Sequence, residues 1–124
     1  MELGNFSVSL VVKDIAASRA FYDALGFTQM GGNQEQGWLI LTNGTTVIGL
    51  FHGMFERNML TFNPGWRSDC SELDSFTDVR ELERRLVAAG IAITSSNTAD
   101  SASGPAHISL VDPDGNPILI DQHR

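Results

Sequence analysis

A chain with a single cysteine, Cys70, can form no internal disulfide and no cysteine-based zinc site. It also lacks an excess of positive charge: 8 Lys and Arg stand against 15 Asp and Glu, for a net charge of -7. Such a field repels phosphate backbones, so no nucleic acid is expected as a partner. It attracts cationic small molecules, although ordinary solubility asks for the same balance. No apolar run approaches the length of a bilayer span, so no membrane is expected as a partner either. Met1 to Phe6 carries neither a basic stretch nor an apolar one and does not read as a signal peptide. Together these absences point to a soluble protein of the reducing cytoplasm.

The 124 residues that are present suffice for one domain, 1–124, with one hydrophobic core and no covalent staple. Phe6, Val8, Leu10 and Val12 alternate with Ser7, Ser9 and Val11, the pattern of a half-buried strand. Asp14 stands where a helix N-cap belongs, Ile15 to Leu25 carries an apolar stripe, and Gly26 is placed to stop it. Three short strands are predicted next: Phe27 to Met30, Gln36 to Thr42 and Thr45 to His52. Gly31-Gly32-Asn33 and Asn43-Gly44 read as the turns between them.

The order then repeats. Asn58 to Asn63 reads as a strand, and Thr77 or Asp78 opens a helix that carries Val79, Leu82, Leu86 and Ala89 and stops at Gly90. Ile91 to Ser95, Ala106 to Val111 and Pro117 to Gln122 are the remaining strands, and Asp112-Pro-Asp-Gly-Asn116 is the turn between the last two. Residues 64–76 and 97–105 are polar loops, the first with the character of a mobile one. The expected fold class is α+β, two β-α-β-β-β modules at residues 5–53 and 58–122. Each forms a curved sheet with one helix on its back, and the concave faces line a shared cleft. A β-α-β-β-α-β sandwich would have too few strands.

Val11-Val-Lys-Asp-Ile-Ala-Ala-Ser-Arg-Ala-Phe-Tyr-Asp-Ala-Leu-Gly-Phe27 resembles the opening of the vicinal oxygen chelate superfamily. That superfamily holds glyoxalase I, bleomycin-resistance proteins, extradiol dioxygenases and fosfomycin-resistance enzymes. Asp112-Pro-Asp-Gly-Asn-Pro-Ile-Leu-Ile120 is similar to its last turn and strand. The two stretches lie at opposite ends in the expected order, and with the repeat they cover nearly the whole chain. The resemblance implies paired modules, a cleft and a homodimer, with a small organic molecule as the partner.

It also implies where metal ligands would fall in the metal-dependent members, where His, Gln or Glu side chains bind a divalent ion. Carried over, those positions are Ser7, Gly49, a place near Met59, and Leu119, which stands where the family often has Glu. None is a good ligand for a hard or borderline cation, so no metal cofactor is expected. Alternation places Ser7, Ser9, Val11, Val47, Gly49, Phe51, Met59, Thr61, Leu119 and Asp121 on the cleft face, a small and mostly neutral lining.

His107 and Ser109 take the same face if Ile108 and Leu110 meet the helix. A histidine beside Asp121 is a candidate general base or polar ligand contact; a hydrogen-bonded histidine at a strand start is the plainer reading. Trp66, in a Pro-Gly-Trp loop, serves equally as a stacking surface or a loop anchor, whereas Trp38 reads as core. Phe51 reads as sheet packing despite its cleft-face parity. His52 reads as surface and His123 as frayed chain end. Carboxylates around Cys70 disfavour a thiolate and a nucleophilic role.

Three functions remain open. A metal-free binding protein would sequester a small, cationic molecule at a dimer cleft, with contacts from Ser7, Ser9, Gly49, Phe51, Met59, Trp66, His107, Leu119 and Asp121. A glyoxalase-like lyase, thiol transferase or dioxygenase would need an atypical site, built from His107, Asp121 and a residue such as Glu56. A module with a vestigial cleft would need neither.

Overall fold

The computed structural model describes residues Met1–Arg124. Eight strands and two helices follow one another as β1 (Asn5–Val11), α1 (Ile15–Ala24), β2 (Thr28–Asn33), β3 (Trp38–Asn43), β4 (Thr46–Phe51), β5 (Met59–Asn63), α2 (Val79–Ala88), β6 (Ser95–Ser96), β7 (Ala106–Val111) and β8 (Pro117–Gln122). Two compact units result: one is Ser7–Met59, and the other joins Met1–Phe6 to Leu60–Arg124.

In the first unit the strand order is β2-β3-β4-β1. The β2–β3 and β3–β4 pairs are antiparallel, and β4 lies parallel to β1. In the second the order β6-β7-β8-β5 repeats this, with two antiparallel pairs and β8 parallel to β5. The duplication expected from the sequence is therefore a duplication of topology.

Each helix is bounded by the same devices. The Asp14 carboxylate accepts the Ala17 N–H at 3.1 Å, and the Asp78 carboxylate accepts the Arg80 N–H at 2.9 Å. At the far ends Gly26 and Gly90 take φ values of +94° and +84°. That left-handed turn lets the N–H of Phe27 reach the Tyr22 carbonyl and that of Ile91 reach the Leu86 carbonyl, both at 3.0 Å. Both helices thus end in the same paired C-terminal cap.

One core lies under each helix. Leu39, Leu41 and Leu50 are fully buried with Ile48 beneath α1, where Ile15, Tyr22 and Phe27 pack on them. Val79, Leu82, Ile108 and Ile120 are buried with Ala106 beneath α2, and Leu3, Phe62 and Leu86 complete the cluster. Burying one such leucine contributes about 1.5–3 kcal/mol.

Two expected boundaries are wrong. Gly31-Gly32-Asn33 is not a turn but the end of β2, whose register with β3 shifts between Gln29 and Gly31. The shift fits the glycines: a Cβ on Gly32 would lie 2.6 Å from the Trp38 carbonyl oxygen. The chain reverses instead through a 3-10 turn at Gln34–Gln36, capped by the Asn33 side chain. The expected strand Ile91 to Ser95 is displaced to Ser95–Ser96: the Ile91 N–H closes α2, and the segment reaches β7 at the Thr94 N–H, which donates to the Ser109 carbonyl at 2.8 Å. The 64–76 loop is stitched together: Trp66 bridges to Glu72, and the Arg124 guanidinium donates to the carbonyls of Gly65 (3.0 Å) and Leu73 (2.7 Å).

Candidate functional site

In the first unit the strand registers fix which side chains turn away from α1. Ser9 pairs with Gly49 and Val11 with Phe51; Gly49 and Phe51 pair in turn with Ile40 and Trp38. Directly paired residues share a face, so Ser7, Ser9, Val11, Val47, Gly49 and Phe51 lie together opposite the helix, as the alternation predicts. Ser7 and Ser9 are buried. Trp38 departs from its expected place in the core. It belongs to the same face as Phe51, because Leu39 and Leu41 take the core positions of β3.

Position 49 is sterically closed. A Cβ built on Gly49 would lie 2.5 Å from Cε2 of Phe51 and 3.4 Å from Cδ1 of Ile40. The Phe51 ring therefore rests on the glycine, and it also meets the Phe55 ring at 5.1 Å between centroids.

In the second unit Thr61 pairs with Leu119, Leu119 with Ser109, and Asp121 with His107. These residues share the face away from α2, and the alternation of β5 puts Met59 on the same side as Thr61. Opposed as they are, the His107 and Asp121 side chains are not the bonded pair. The Asp121 carboxylate pairs with His123, two residues along its own strand direction, with Oδ2 3.1 Å from Nε2. That hydrogen bond raises the His123 pKa above its ordinary 6.5; partial burial opposes the rise and the carboxylate charge reinforces it. His123 is thus tied down rather than frayed. The His107 backbone N–H donates to the Asn97 side chain at 2.8 Å.

The other candidates scatter. Trp66 lies in the 64–76 loop, half-buried, off the strands. Glu56 is exposed in the segment between β4 and β5. His52 is exposed, its Nδ1 3.1 Å from the Val12 carbonyl oxygen. The Cys70 thiol is raised above its ordinary pKa by burial and by Asp69, against a 3.3 Å hydrogen bond from Asn5. A groove of about 540 Å³ runs between α2 and β6, lined by Glu83, Arg84, Val87, Ile93, Ser95 and Ser96. None of the candidate site residues from the sequence lines it.

The metal positions implied by the resemblance carry a hydroxyl (Ser7), no side chain (Gly49), a thioether (Met59) and an alkyl group (Leu119). Imidazole, carboxylate and thiolate are the strong side-chain donors for a divalent ion of the hard or borderline kind, and these positions supply none. No three His, Cys, Asp or Glu side chains stand close enough together to hold such an ion elsewhere. The residues do not fit a metal centre.

The model of the Glyoxalase/Bleomycin resistance protein/Dioxygenase superfamily matches residues 6–120. No curated protein matches the chain. Among solved structures, a superfamily member from Vibrio splendidus 12B01 is 16% identical with a TM-score of 0.64, over 95% of this chain and 97% of that one. A structure described as an NAD-dependent benzaldehyde dehydrogenase from Legionella pneumophila is 20% identical with a TM-score of 0.69, over 96% and 99%. A hypothetical protein from Bacillus halodurans C-125 is 12% identical with a TM-score of 0.60, over 95% and 92%. At these identities the likeness is one of fold. With the family match spanning residues 6–120 and the doubled β-α-β-β-β topology, the chain belongs to the Glyoxalase/Bleomycin resistance protein/Dioxygenase superfamily.

Proposed function

We propose that this chain is a metal-free binding protein that sequesters a small, cationic organic molecule at the cleft of a cytoplasmic homodimer. The observation that carries the reading is the replacement of the implied metal ligands, above all the Phe51 ring resting on Gly49. A metal-ligating side chain at residue 49 would collide with the ring. The net charge of -7 and the carboxylate of Asp121 favour a cation. The reading assigns contacts to the sheet face of each module: Ser7, Ser9, Gly49, Phe51 and Met59 on β1, β4 and β5, and His107, Leu119 and Asp121 on β7 and β8. Trp66 contributes from its loop as a stacking surface.

Calorimetry against a panel of cationic glycopeptides and other cationic drugs tests it, with metal analysis of protein purified without chelator. Binding weakened by Asp121→Asn is expected, with sub-stoichiometric metal. Near-stoichiometric Zn, Ni, Mn or Fe would overturn the metal-free part. Universal silence from the panel would overturn the cationic part.

The Asp121–His123 pair favours a second reading, an enzyme whose imidazole acts as a base oriented by a carboxylate. Glyoxalase, thiol-transfer and dioxygenase assays with added divalent metals separate the two. Turnover lost in His123→Gln or His107→Gln would support the enzyme.

A further inference from the structure

The Asp121 carboxylate is the one acidic group on the β7–β8 face that the binding reading uses, and His123 already occupies it. We propose that Asp121 is the anchor for a ligand's ammonium or guanidinium group and that the His123 imidazolium is its built-in competitor, so that binding expels one proton. The inference rests on the binding reading and adds the residue that regulates it.

The geometry supports an exchange. Asp121 is about one-third exposed and His123 about one-half, so a solvent cation can reach the carboxylate. His123 already holds Asp121 Oδ2 at 3.1 Å, so a ligand cation that takes that same oxygen displaces it. With the carboxylate paired to imidazolium, an incoming cation leaves the site charge unchanged only if His123 gives its proton to water. The charge balances: carboxylate–imidazolium plus ligand cation yields carboxylate–ligand, neutral imidazole and a free proton.

The groups around Asp121 are few. From β7 it faces His107, the only other titratable side chain in register with it. From the β5 side, Asn63 donates its side-chain amide to the Asp121 carbonyl at 2.9 Å and does not titrate. The next residue, Arg124, is committed to the Gly65 and Leu73 carbonyls. The raised pKa of His123 fits a proton held by this carboxylate.

Methylguanidinium chloride is a sufficient probe, read by NMR at the His123 ring proton. Excess probe should shift the His123 titration to lower pH by more than sodium chloride at equal ionic strength, which screens the pair without occupying it. Probe affinity should rise by up to about tenfold per pH unit while His123 is protonated, then level off. His123→Gln should make the affinity flat with pH, and Asp121→Asn should abolish both effects. An unmoved His123 titration, or a slope removed by His107→Gln and kept in His123→Gln, overturns the inference. A panel drug bound without a pH slope sinks the inference and spares the binding reading; a probe shift with no drug bound does the reverse.

Discussion

The side-chain oxygen of Gln122 accepts the backbone N–H of Val79 at 2.7 Å, at a site where Gln122 is 1% exposed. Its amide nitrogen donates to the Asp78 carboxylate at 2.9 Å and lies within reach of the Gly104 and Arg124 carbonyls. The last strand therefore satisfies the first orphan N–H of α2 and fixes the residue that caps it. Replacing Gln122 with Leu leaves that N–H without an acceptor and leaves Asp78 with Arg80 alone. The expected loss is about 2–3 kcal/mol, read as a lower urea midpoint at unchanged slope.

Asp78 gives the fold an acid sensitivity with a definite sign. Burial pushes its pKa up, but the hydrogen bonds from Gln122 and Arg80 outweigh burial and hold the carboxyl below its ordinary 3.8. A carboxyl lowered on folding stabilises the fold above its unfolded pKa, and that stabilisation fades as pH falls through the folded value. Its side chain is 38% exposed, so solvent screening limits the effect to less than about 1 kcal/mol. Urea melts across the acid range should show a shallower decline for Asp78→Asn than for wild type.

His123 has the opposite sign. Its pKa is raised by Asp121, so its contribution is fully present below 6.5 and is lost as pH rises through the folded value. Half exposure keeps the stability effect below about 0.5 kcal/mol, so the sensitive measurement is the NMR titration itself. Asp121→Asn should return the His123 midpoint downward toward its ordinary value.

A methyl group at position 49 tests the closed site. Gly49→Ala forces the Phe51 ring aside and is expected to cost about 1–3 kcal/mol. The loss should shrink in the Phe51→Ala background, since the two residues share one space. Equal losses in both backgrounds would show that the ring does not need the glycine.

Much of this was legible beforehand because it is written in periodicity and punctuation. Asp14, Gly26, Asp78 and Gly90 bound the two helices, and the alternation of β1 and β8 gives the faces of Ser7, Ser9, Leu119 and Asp121 correctly. What escaped depends on pairing across the chain. Trp38 reads as core until its register with Phe51 is known. The glycines at 31 and 32 read as a turn until a bulge against β3 accounts for them. His123 reads as a loose end because no local pattern says that the residue two positions earlier holds it.

The repeated topology makes one comparison possible inside a single chain. Gly49 and Leu119 occupy matching places in β4 and β8, two of the four positions where the superfamily resemblance implied a metal ligand. Two residues further along each strand, Phe51 stands across from Trp38 and Asp121 across from His107. The same seat in the two halves thus holds a pair of rings in one and an acid with an imidazole in the other. The halves share a common frame and differ in what it carries: flat apolar surface in one, a carboxylate and an imidazole in the other.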